Sequence, residues 1–385
     1  MRKETLNFKK TGIIGAILFF VSVSGLYQCK SSVEEDLVPL EIEKDNTVAA
    51  ISGKSNYVNN TTLKSAFTFP FGAAVVKELL ENKAYSDVLK RDFNSLTSQS
   101  NMKFRSLHPS ENTYTFEKAD FIVNFAQTNK MRVHGHVLIW GKDSTLPAWV
   151  VNYKGDKAAF EKLMKAHITT VVKHFKGKVA SWDVVNEAYA DNGTLKDNIW
   201  LRKIGPGYID KAFAYAHAAD PSAKLFYNDY GQEFGGSKMR AIMAMVKNLK
   251  SKGIAIDGMG FQMHTVLRIT VSKIKDQFLA VANAGLLVHV SEMDITVKYQ
   301  QPKYFDLTQA LSTQLAAKYK EIVQAYLTAV PKKLQFGITT WGVADADAYN
   351  NVNVPARNAD YPLLFDKNYL PKEAYKSVIQ AGLGK

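Results

Sequence analysis

The stretch SWDVVNEAYADNG, residues 181–193, changes character half-way along. Val179, just ahead of it, and then Trp182, Val184 and Val185 make the short apolar run of a strand buried on both faces. Asn186 and Glu187 follow with no spacer, so an amide and a carboxylate ride on the end of an apolar strand. That placement makes sense if several strands end together, because each polar tip then meets others of its kind instead of the core.

The arrangement recurs along the chain. Candidate strands lie at 69–75, 93–97, 132–140, 179–186, 224–229, 258–264, 286–292 and 336–342. Amphipathic segments separate them. In 158–175, Phe160, Leu163, Met164, Ile168, Val171, Val172 and Phe175 fall on one helical face, and 238–253 repeats the pattern and ends on glycine. Eight strand-then-helix units in about 320 residues predict an α/β fold, a closed (β/α)8 TIM barrel. An open doubly wound sheet would usually carry a glycine-rich phosphate loop after its first strand, and FGAAVVKELL (71–80) has none. The segment 299–314 reads as a long loop entering a helix.

A barrel of this kind gathers the C-terminal ends of its strands at one mouth. His136 and Trp140 arrive there from the third strand, Asn186 and Glu187 from the fourth, and Asn228 and Asp229 from the fifth. Gln262 and His264 come from the sixth, Glu292 and Asp294 from the seventh, and Trp341 from the eighth. Two glutamates on different strands suit glycoside hydrolysis, in which one carboxylic acid protonates the departing oxygen and a second carboxylate attacks the sugar or activates water. Trp140 and Trp341 offer flat walls for a sugar ring, Asn186 can hold a ring hydroxyl, and His264 can fix a carboxylate. The pair His134 and His136 lacks further metal-ligand spacing, and Asp345 to Tyr349 lacks a calcium-loop pattern. No metal or cofactor is expected.

The chain has 385 residues, 46% of them hydrophobic and 22% charged, with a formal net charge of +13. Its lysines are scattered, as in KGDKAAFEKLMK (154–165), which describes a solvated surface and not a nucleic-acid-binding block. Residues 1–28 read as an export signal: a basic start, then an apolar run at 11–27 that is shorter than the roughly 20 residues of a spanning helix. Cys29, the single cysteine, stands where a lipoprotein carries its lipid, with Leu26 three residues before it; an ordinary secretory signal with an incidental cysteine is the other reading. Residues 29–62 read as a flexible polar tether, and 63–385 as the catalytic domain. The expectation is an exported monomer, a cell-surface or outer-membrane lipoprotein, or else secreted or periplasmic. Its only membrane contact would be the lipid anchor.

Seven blocks resemble, in order and spacing, those of glycoside hydrolase family 10. They are HGHVLIW (134–140), WDVVNEA (182–188), FYNDYG (226–231), GMGFQMH (258–264), VHVSEMDI (288–295), GITTWGVADAD (337–347) and PLLFDKNYLPKEAY (362–375). The resemblance implies a retaining endo-1,4-β-xylanase on a (β/α)8 barrel, acting on xylan or a related polysaccharide. It implies Glu187 as acid/base, Glu292 as nucleophile, and Asn186 on the 2-hydroxyl at the cleavage point. His264 would sit between Glu292 and Asp294. Gln262, His136 and Trp140 would line the same subsite, Trp341 would be a stacking wall, and Asn228 and Tyr230 would face the leaving group. On this scheme donors hold Glu292 ionised, while burial and the nearby negative charge raise the pKa of Glu187.

Departures from the family pattern fall mainly at the glycone end. Lys103, implied as a glycone contact, is kept, but Gln99-Ser100 stands where the family usually has Glu-Asn. Phe104 stands for Trp, Gly141 for His, and Tyr349 for the Trp of an aromatic lid. They leave open another retaining β-glycanase, acting on substituted xylan or β-glucan, and a non-catalytic glycan-binding surface lipoprotein.

Overall fold

The structure, a computed structural model, describes residues 58 and 60–385 apart from 300, 303 and 352–358. The export segment, Cys29 and most of the tether lie outside the described residues. Eight strands form the barrel: β1 Phe71–Val75, β2 Ser95–Ser98, β3 Arg132–Gly135, β4 Ser181–Asn186, β5 Lys224–Asp229, β6 Gly258–Phe261, β7 Leu287–Thr296 and β8 Gln335–Thr340. Each pairs in parallel with the next. β8 bonds to β7 on one side and β1 on the other, so the sheet closes. Closure leaves no edge strand, which is why five of these strands are buried throughout their length or nearly so.

The helices cover the outside. Lys157–His174 starts where the Asp156 carboxylate accepts from the Ala159 N–H at 2.8 Å, and it buries Phe160, Met164, Ile168, Val171 and Val172. Helix Gly236–Ser251 buries Met239, Ile242, Val246 and Leu249, and with them Lys238. Gln309–Ala329 begins at Thr308 and packs along the last helix, Glu373–Gly382.

Two expected strands are interrupted. The run 132–140 leaves the ladder after Gly135 and rejoins it as a two-residue strand, with Ile139 beside Val185 and Trp140 beside Asn186. The run 258–264 stops at Phe261; Met263 takes a left-handed φ of 60°, and His264–Val266 pairs with the far end of β7 instead. Both breaks lie at the mouth, where a regular period of two would send alternate side chains away from the cleft. β7 runs past its expected end and carries Glu292 and Asp294 within it.

Below the mouth, alternate strands fill the barrel. His134 of β3, Phe226 of β5 and His289 of β7 meet edge to face at 4.9–6.0 Å between centroids, and Phe336 of β8 lies tilted against Phe226 at 4.5 Å. Gly258 of β6 makes this possible, because the Phe226 ring passes within 2.2 Å of where a Cβ would stand. Arg132 closes the floor, donating to Ser95 Oγ and to the Phe336 carbonyl with its guanidinium 3.9 Å from the Phe336 ring. Replacing Phe226 by Ala removes the centre of this layer. We expect a loss of about 3–5 kcal/mol of stability, measured as a lower urea midpoint; an unchanged midpoint would show that the layer does not hold the barrel closed.

Candidate active site

The mouth brings the expected polar residues into one connected network. At the end of β5, Asn228 is fully buried. Its Nδ2 donates to Glu292 Oε1 at 2.7 Å and to Asn186 Oδ1 at 2.9 Å, while its Oδ1 accepts from Ser291 Oγ at 2.6 Å. Asn186 Nδ2 donates to Glu187 Oε1 at 3.2 Å. Two amides in series therefore join the two glutamates. Gln262 Nε2 braces the same corner, at 3.1 Å from Glu187 Oε1 and 3.2 Å from Asn186 Oδ1. Both amide protons of Asn228 are thus committed within this network.

On the other side of Glu292, His264 bridges two carboxylates, with Nε2 at 3.2 Å from Glu292 Oε2 and Nδ1 at 2.8 Å from Asp294 Oδ2. Burial pushes its pKa down, but Asp294 and then Glu292 outweigh burial and hold it well above the ordinary histidine range. An imidazolium that donates at both nitrogens fixes the Glu292 carboxylate, which is itself only 4% exposed.

The aromatic wall is built by His136, Trp140 and Trp341. His136 meets Trp341 edge-on at 5.5 Å and Trp140 at 6.3 Å, and Trp341 also abuts His264 at 6.0 Å. Lys103 lays its ammonium 4.6 Å from the Trp140 ring and 6.0 Å from that of Trp341. Burial pulls the Lys103 pKa down, with Glu292 and Glu187 opposing it. Tyr349 stands apart on a short turn, 69% exposed and outside the hydrogen-bonded network.

Several contributors were not among the expected residues. Asp183, inside β4, is gripped by both histidines of the HGH triplet, at 3.0 Å from His134 Nε2 and 2.9 Å from His136 Nδ1. Burial would raise its pKa, yet His134 and His136 drive it well below the carboxylate range. Asp183 therefore sets the ring plane of His136. A carboxylate in the middle of the apolar run SWDVV was the available signal. Tyr227, Lys196 and Lys238 also reach the site. The Tyr227 hydroxyl accepts from the Ala188 N–H at 3.0 Å and donates to Asp229 at 2.5 Å, and Lys238 lies 2.9 Å from the same carboxylate.

Glu187 differs from expectation. Burial does raise its pKa, but Lys196 nearby, the Gln262 amide, the Trp140 indole and Lys238 together outweigh burial, and the net direction is downward. The buried Trp140 indole N–H makes no hydrogen bond of normal geometry among the described residues, so it contributes by proximity. The charge felt by Glu187 is chiefly that of Lys196 and Lys238, and their positions could not be read from spacing.

Residues 59–381 match the family described as Glycosyl hydrolase family 10. The chain belongs to that family. It is 39% identical over 307 residues to endo-1,4-beta-xylanase B of Thermotoga neapolitana, covering 78% of this chain and 84% of that one. It is 36% identical over 341 residues to endo-beta-1,4-xylanase Xyn10C of Cellvibrio japonicus, covering 82% of this chain. The alignment takes in little more than half, 56%, of that relative's length. Among solved structures, xylanase 10B of Thermotoga petrophila in complex with xylobiose superposes with a TM-score of 0.78 at 33% identity, covering 85% of this chain and 98% of that one.

Set against this family 10 frame, the local departures have visible causes. Phe104 does not face the cleft: it is buried, stacked 3.7 Å from the His167 ring and packed near His108 and Trp149. Asn101 is also structural, accepting from the Lys77 N–H at the start of a short helix. Gly141 touches the Asn186–Glu187 corner directly. Its N–H donates to the Asn186 carbonyl at 3.0 Å, and a Cβ there would lie 2.6 Å from the carbonyl oxygen of Glu187. Glu187 itself has a left-handed φ of 54°, so its backbone has little freedom to yield. Gly141→Ala is expected to lower kcat by about 10²-fold by displacing Glu187, with an unaltered circular dichroism spectrum. Wild-type kcat in that variant would refute the contact.

Proposed function

We propose that the protein is a retaining endo-1,4-β-xylanase that cleaves internal bonds of xylan by double displacement. The observation that carries this reading is the bridge Glu187–Asn186–Asn228–Glu292, which holds two carboxylates around one small space beside an aromatic wall. Family membership, and the xylanase names of the relatives, support the choice of substrate.

In the first step Glu292, steadied by His264 and Asn228, attacks the anomeric carbon while Glu187 gives its proton to the departing oxygen. A sugar ester on Glu292 results, and the negative charge passes from Glu292 to Glu187. Glu187, now a carboxylate, takes a proton from water, and the water attacks the same carbon from the side the leaving group vacated. Configuration is retained because the centre is inverted twice. The second step draws on a carboxylate already favoured by its lysine neighbours, and the first requires that Glu187 pick up a proton beforehand.

The glycone end keeps Lys103 but offers Gln99 and Ser100, both half-buried, as neutral neighbours. Another retaining β-glycanase activity therefore stays in view, and a product ladder from plain xylan, substituted xylan and β-glucan separates the two. Export and attachment through Cys29 are also proposed, on the sequence alone; Cys29→Ser should free the protein from the membrane fraction.

Glu292→Ala is expected to abolish turnover of every glycoside. Glu187→Ala should lose about 10²–10⁴-fold on xylan yet keep a rapid first step on aryl glycosides with good leaving groups, seen as a burst of phenolate. Normal xylan hydrolysis by both variants would exclude this function.

A further inference from the structure

Nine residues beyond Glu187 the chain comes back to it. Tyr189 and Leu195 face each other across a narrow hairpin, closed by Ala190 N–H to the Thr194 carbonyl at 2.8 Å and Lys196 N–H to the Ala188 carbonyl at 2.9 Å. The Asn192 side chain accepts from the Thr194 N–H and hydroxyl, and Gly193 takes the left-handed turn position at φ 86°. The hairpin has one outcome at the cleft: Lys196 Nζ arrives 3.6 Å from Glu187 Oε2 and donates to the Tyr230 hydroxyl at 3.3 Å. The Tyr230 ring lies 4.6 Å from the same ammonium and 3.8 Å from that of Lys238, so the tyrosine keeps the two cations apart while both remain beside the carboxylates.

Resting on the xylanase reading above, we propose that Lys196 is the positioning residue of the acid/base. It pins the free oxygen of Glu187 and sets the pH at which that group can no longer deliver a proton. The geometry divides the labour: Oε1 of Glu187 is taken by Asn186 and Gln262, and Oε2 by Lys196. Other charges face the same carboxylate. Lys103 stands at the aromatic wall, Asp229, paired with Lys238, lies behind, and Glu292 with His264 stands across the gap. Of the cations, Lys196 alone is recorded within ion-pair distance of Glu187 among the described residues. Its charge also reaches Asp229, but that carboxylate has Lys238 directly against it at 2.9 Å. A cation there favours the base required in the second step and opposes the acid required in the first. Neutralising it therefore changes the two steps in opposite senses.

The test is the pH dependence of kcat/KM for the full chain, with Lys196→Met, Lys196→Gln and Lys196→Arg. Two substrates are compared: a xylo-oligosaccharide, whose leaving group needs the proton, and a dinitrophenyl xylobioside, whose leaving group does not. On the oligosaccharide both neutral variants should carry the alkaline limb to higher pH by about one pH unit or more, and the arginine variant should restore it. On the aryl substrate the limb should not move. The inference is overturned if the neutral variants lower activity evenly at all pH values, or if the limb moves equally on both substrates. The functional reading survives that result, since Glu292→Ala would still be inactive. A wild-type protein that cleaves no xylan at all would overturn both.

Discussion

The site depends on keeping three carboxylates, Glu187, Glu292 and Asp294, close together in a pocket largely closed to water. Like charges at such range repel strongly, and burial adds to the cost of each. The protein answers with donors of fixed direction. His264 sits between Asp294 and Glu292, Asn228 between Glu292 and Asn186, Gln262 across the corner, Lys103 against the Trp140 ring and Lys196 against Glu187. Much of what is irregular at the mouth serves this balance. The left-handed backbone at Glu187 and at Met263, and the broken third and sixth strand runs, turn these side chains inward where a regular strand would turn half of them out.

Rigidity comes from behind. Asp183 holds His136, Ser291 holds Asn228, and Tyr227 ties the backbone after Glu187 to Asp229 and through it to Lys238. His136, Asn228 and the backbone after Glu187 therefore each have a buried partner that fixes them, which is the condition for a reacting geometry that does not have to be assembled anew at each turnover.

Much of this was legible in the sequence. Eight apolar runs with polar tips gave the barrel, and the order of those tips placed Asn186, Glu187, Asn228, Gln262, His264, Glu292 and Asp294 at one mouth. Short-range periodicity was sufficient because each strand delivers its polar residue in the same direction. The rest depends on long-range packing. Lys238 occupies a core-facing position on a helix, where a pattern of apolar spacing treats lysine as surface. Lys196 is brought back by a hairpin whose turn residues, Asn192 and Gly193, were visible but whose target was not. The electrostatic character of Glu187 followed the same divide: burial was foreseeable, the lysines were not. Phe104 and Asn101 lie in the segment that departs from the family pattern, yet they turn into the packing and the start of a helix, while the Lys103 N–H donates to the Ser100 carbonyl.

Among the described residues, the first and last helices meet beneath the barrel. Leu63–Ala66 packs on Glu373–Gly382, so tightly that a Cβ at Gly382 would strike the Ala66 carbonyl. Leu63–Ala66 precedes β1, so this junction belongs to the face where strands begin, opposite the catalytic mouth. Anything fused or tethered at either end of the folded unit, whether a lipid, a solid support or a second module, would leave from that underside and turn the cleft outward, towards a polymer too large to diffuse to a hidden face.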